Sequence, residues 1–79
     1  MTVSEIAKTK AVSLFYTFYH HPEYRGPKFT WEGFPEMARN HVEAEIFIHL
    51  ERSPTKEEKS LAGQIAFKEA QRLVTETKP

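Results

Sequence analysis

The sequence predicts an all-α fold, a small three-helix bundle with a long aromatic-rich loop between the first and second helices. Three observations lead there. Apolar residues recur at helical spacing in three stretches. Proline and glycine fall between those stretches rather than inside them, apart from Gly63. The one stretch that alternates like a strand has no second alternating run to pair with, and an unpaired strand leaves its backbone groups unsatisfied.

The first helix is expected over residues 3–20. Thr2 followed by Glu5 matches a capping box, in which each side chain satisfies a free backbone donor of the other. Val3, Ala7, Ala11, Leu14, Phe15 and Phe18 then mark one face. Ile6, Val12, Tyr16 and Tyr19 widen it beyond what one contact needs. His20 and His21 suit the negative end of the helix dipole, and Pro22 stops the helix.

Residues 21–34 form the connection, punctuated by Pro22, Gly26, Pro27 and Gly33. It carries Tyr24, Phe29, Trp31 and Phe34. Eight of the ten aromatic residues lie between Phe15 and Phe34. A loop this long in a compact domain is usually functional or else packed down. The second helix is expected over residues 35–52, opening on Pro35 as a first helical residue. Within it Val42, Ala44, Ile46, Ile48 and Leu50 alternate with Glu43, Glu45, Phe47, His49 and Glu51. That pattern keeps an α+β alternative open, with residues 42–50 as a strand. The richness in Glu, Ala, Met and Arg favours helix. The third helix is expected over residues 54–75, with Ser53-Pro54 as its cap and first residue, or Thr55 and Glu58 as an alternative capping box. Ala62, Ala66 and Ala70 make a ridge of small side chains that lets another helix come close, and Gly63 suits such a contact. The tail from Thr75 is expected to fray.

Seventy-nine residues suffice for a single domain, 1–79, whose core is thin. With no cysteine, disulfides, thiol nucleophiles and Cys-based zinc sites are excluded. All eleven acids are Glu, which removes Asp-centred chemistry such as EF-hand loops and a Ser-His-Asp triad. Eleven basic residues balance them, interspersed, so nucleic-acid binding lacks its electrostatic source. No apolar run approaches the ~20 residues of a membrane span. Residues 1–10 lack the apolar region of a signal peptide, so a cytoplasmic address is expected.

Two constellations remain. His41, Glu45 and His49 stand at i, i+4 and i+8, and on a helix would share one face. They are the metal-ligand candidates, and His20 and His21 would add ligands across the bundle. The plainer reading is a solvated polar face in which Glu45 bonds a histidine. No partnered nucleophile or phosphate cradle accompanies them, so no enzyme and no cofactor is expected. The second constellation is the aromatic loop. Tyr, Trp and Arg dominate binding hot spots because they bury large area with few rotors to freeze. Tyr16, Tyr19, Tyr24, Arg25, Phe29, Trp31 and Phe34 are therefore the partner-binding candidates. The opposing reading makes these rings the lid of a thin core. A combination is also open, with Trp31 and Phe34 inward and Tyr24 and Arg25 outward. The surplus face of the first helix would suit a homodimer.

The expectation is a small protein-interaction module, an inhibitor or regulator that occludes a larger host or cellular protein. In size and lack of a catalytic kit the chain resembles the compact accessory proteins of phages and mobile elements, on no particular motif. A metal-binding domain on His41, Glu45 and His49, and a nucleic-acid-associated regulator, are the alternatives.

Overall fold

The computed structural model describes residues 2–79. It contains three helices, α1 (Val3–His20), α2 (Phe34–Leu50) and α3 (Lys56–Thr77), and a 3-10 turn over Pro22–Tyr24. Two buried clusters fix their directions. One joins Ile6, Ala7 and Ala11 of α1 to Val42 and Ile46 of α2 and to Ala62 and Ala66 of α3. The other joins Phe15 of α1 to Phe34 and Ala38 of α2 and to Ala70 and Leu73 of α3. The start of α1 thus meets the end of α2 and the start of α3, so the bundle runs up, down, up. Its 34 Å length matches α3, whose 22 residues rise about 33 Å.

Residues 42–50 are helical and lie within α2, which removes the strand alternative. The alternation is resolved by division. Val42 and Ile46 are buried and Leu50 packs at the core's margin, while Ala44 and Ile48 face water. Helix α1 begins with the expected capping box. The Glu5 N–H donates to Thr2 Oγ1 at 3.1 Å, and the Thr2 N–H donates to Glu5 Oε1 at 3.3 Å.

The second and third helices differ from expectation at their ends. Helix α2 stops at Leu50, because Glu51 takes a left-handed conformation at φ 58° and Ser53 precedes a proline that disfavours helix before it. Ser53-Pro54 is not the cap of α3. Thr55 is, since its capping box satisfies two backbone donors, with Glu58 N–H to Thr55 Oγ1 at 3.1 Å and Thr55 N–H to Glu58 Oε1 at 2.9 Å. The tail expected to fray stays helical to Thr77.

Half of the twelve buried core residues are alanines: Ala7, Ala11, Ala38, Ala62, Ala66 and Ala70. The alanine ridge of α3 faces both other helices, as its spacing predicts. Gly63 extends that close approach toward α2. A Cβ there would stand 2.8 Å from Glu43 Cδ and 2.9 Å from Arg39 Cγ.

Candidate functional site

The aromatic loop folds back onto the bundle. Phe34, which opens α2, is fully buried. Its ring meets Phe15 at 5.8 Å and Trp31 at 5.5 Å, both in edge geometry. Trp31 also touches Phe15 at 5.2 Å and Phe29 at 4.9 Å, and Phe29 stacks on Phe18 at 5.3 Å. Pairs of this kind contribute ~0.5–1.5 kcal/mol each beyond their buried area. Phe29 and Trp31 are half-buried against the core.

Arg25 is held inward as well, contrary to the outward position expected for it. Its Nε donates to the Phe18 carbonyl at 2.7 Å and a terminal nitrogen donates to the Tyr19 carbonyl at 3.3 Å. These carbonyls belong to the last turn of α1, which no further helical N–H can satisfy. The guanidinium lies over Trp31 at 5.1 Å and Phe29 at 5.8 Å. Arg25, Phe29, Trp31 and Phe34 therefore build the loop and present little side chain to a partner.

Tyr16, Tyr19 and Tyr24 remain in water, at 46%, 38% and 62% exposure. Each packs against another ring. Tyr19 stacks on buried Phe15 at 5.7 Å, and Tyr16 stacks on His20 at 5.7 Å. Tyr24 packs beside His21 at 5.3 Å. A shallow apolar groove runs next to Tyr24, lined by Phe18, Pro27, Lys28, Phe29 and Met37. The expected surplus face of α1 is smaller than its sequence implies, because Ile6 is buried and Val12 packs against the second cluster.

The histidine–glutamate set lies elsewhere. His41 Nε2 is 2.9 Å from Glu45 Oε2, and Lys10 Nζ reaches the same oxygen at 3.2 Å from α1. The His41 contact lacks the alignment of a hydrogen bond, so Lys10 is the better partner. The Lys10 hydrogen bond, aided by His41, holds the Glu45 carboxyl below its ordinary range. His49 is exposed beside Ile6, Thr9, Lys10 and Ser13. Among the described residues no group of three or more His or Glu side chains is placed to hold a metal. Glu45 instead ties α2 to α1 through Lys10, with His41 beside it on α2.

One exposed feature escaped the sequence reading. Phe47 and Ile48 are 54% and 58% exposed on the outer face of α2, beside exposed Ala44. Their signal was present. A helix over residues 42–50 buries only the i, i+4, i+8 set Val42, Ile46 and Leu50, which leaves Ala44, Phe47 and Ile48 as a second stripe at i, i+3, i+4. No helix among the described residues is long and apolar enough to cross a membrane. No protein family matches the chain, and no curated protein or solved structure does either.

Proposed function

We propose that the chain is a small protein-interaction module, an inhibitor or regulator that binds a larger partner and occludes it. The observation that supports this reading is the exposure of Tyr16, Tyr19 and Tyr24 at one end of a bundle whose core is already closed without them. Tyrosine fits the role because it brings a wide ring, a hydroxyl and only two rotors to freeze. Ring contacts position two of the three, and buried Phe15 touches both. Tyr19 rests on Phe15, and Tyr16 is held against His20. The groove beside Tyr24 would take an apolar side chain of the partner, with Lys28 at its rim steering an acidic neighbour. The loop contributes Tyr24 and the groove beside it to this surface, while Arg25, Trp31 and Phe34 serve as its scaffold.

Affinity capture from a lysate tests the proposal with a triple variant, Tyr16→Ser, Tyr19→Ser and Tyr24→Ser. Circular dichroism serves as the folding control. The expected result is loss of a partner held by the native chain, with helicity unchanged. A triple variant that keeps every captured protein ends the proposal. Trp31→Ala is unsuitable for this purpose, because Trp31 supports the core.

A further inference from the structure

The α2–α3 junction lies at the opposite end of the bundle from the exposed tyrosines and carries its own surface. A groove runs between the end of α2 and the start of α3, with Ala44, Phe47 and Pro54 as its apolar lining. Its charged residues divide by side. Glu43 and Glu51 come from the α2 side, and Lys59 comes from α3. Among the described residues these three make no ion pair within the molecule. Arg52, the other cation here, is held by Glu58 at 2.8 and 2.6 Å and is not available.

Helix geometry sets the levels of these groups. Gly63 packs against Glu43, so Lys59, one turn nearer the junction, comes level with Phe47. Lys59 therefore stands between Glu43 and Glu51 along the groove. A two-fold axis lying along the groove, parallel to the helices, would turn each α2 to face the other copy's α3. Each Lys59 then meets the partner's Glu43 and Glu51, and the two Phe47 rings meet near the axis. Ala44 is the one alanine of seven that the core does not use, and its small side chain permits the close approach.

We infer that this groove is a self-association site whose occupant is a second copy of this chain, paired across a two-fold axis through Phe47 with Lys59 against Glu43 and Glu51. The interface is isologous, so one residue change acts twice. With only Ala44, Phe47 and Pro54 as apolar lining, the dimer is expected to be weak and concentration-dependent.

Sedimentation equilibrium from about 1 μM to about 1 mM chain spans the range in which such a dimer forms. The native chain is expected to pass from monomer to dimer within it. Phe47→Glu, at a site already half in water, is expected to weaken the dimer by roughly 30-fold or more, as for a central hot spot. Lys59→Glu and Glu51→Lys each place like charges together and weaken it about 10-fold. The combined variant restores the pair between positions 59 and 51 but leaves position 59 repelling Glu43, so it is expected to dimerise more tightly than Lys59→Glu alone without reaching the native chain. Both changes suit the monomer, since an acid favours the start of α3 and a base the end of α2. A native chain monomeric throughout overturns the inference. So does a dimer indifferent to Phe47→Glu, or a double variant no tighter than Lys59→Glu. The tyrosine variants leave this equilibrium unchanged, so its outcome is separate from that of the proposed partner binding.

Discussion

Both ends of the bundle bury alanines, but they fill the remaining space with different side chains. At the end where α1 stops, large rings fill the space. Phe15 and Phe34 are buried, and Phe18, Phe29 and Trp31 close over them. At the other end Ala7, Ala11, Ala62 and Ala66 let the helices approach, and Ile6, Val42 and Ile46 fill what remains. The connections follow suit. The ring-filled end orders a long loop, because each aromatic of the loop finds another ring. The alanine end closes with a short turn held by the Thr55–Glu58 box and Arg52. The bundle needs bulk where a loop must be anchored and smallness where helices must meet.

Substitutions can break this contrast in turn. Phe34→Ala removes the ring that touches Phe15, Phe18, Phe29 and Trp31, and is expected to cost about 3–5 kcal/mol. Urea denaturation read by Trp31 fluorescence measures it. A loss below about 1 kcal/mol would show that the loop rings are not part of the core. At the alanine end the damaging change is the reverse. Ala66→Leu adds bulk where there is no room and is expected to cost about 1–3 kcal/mol, whereas the same bulk at exposed Ala44 costs little. Equal melting temperatures for those two variants would contradict the close approach. Arg25→Ala lies between the regimes, because it strips two carbonyls of α1 and uncovers Trp31. Its expected cost is about 1–3 kcal/mol. Lysine at that position recovers only part, since it cannot reach two carbonyls with a planar fork while lying over the ring.

Legibility in the sequence also differs between the ends. Periodicity places all three helices, and the Thr2–Glu5 box places the start of α1 to the residue. Helix ends near the α2–α3 turn are harder. Ser53-Pro54 and Thr55-Glu58 offer competing starts; the Thr55–Glu58 box takes the cap, and Arg52 reaches Glu58 across the turn in a contact without helical spacing. The loop carries a subtler ambiguity. Composition shows that its rings are many, but which rings turn inward depends on the depth of the core beneath. Phe34 and Trp31 meet Phe15 from α1, a pairing that no local pattern encodes. Arg25 misleads for a similar reason, since its partners are backbone carbonyls that every sequence possesses. Tyr24 is placed outward as expected. The exposed Phe47 and Ile48 were visible as apolar residues that a helical reading cannot bury, and they were masked by the strand-like alternation around them.

Acid offers the finest separation of the two ends, because the carboxylates held below their ordinary range gather at one of them. Glu5 is lowered by the Thr2 backbone N–H at the start of α1. Glu45 is lowered by Lys10 between α1 and the second half of α2. Glu58 is lowered to about 2, first by the Arg52 hydrogen bonds and then by the Thr55 N–H. Each binds its proton more weakly in the folded chain than in the unfolded one, so each stabilises the fold above the ordinary glutamate value. That contribution is lost as pH falls from the ordinary glutamate value of 4.5 toward about 2 for Glu58. All three lie at the alanine end, so acid should loosen that end first. Amide protection at the starts of α1 and α3, corrected for intrinsic exchange, is expected to fall across that interval before Trp31 emission changes. Glu58→Gln should lower the melting temperature at neutral pH and flatten part of the acid limb, leaving the shares of Glu5 and Glu45. If Trp31 emission shifts first, or the variant's acid limb is as steep as the native one, the Arg52–Glu58 pair is not what holds the α2–α3 turn.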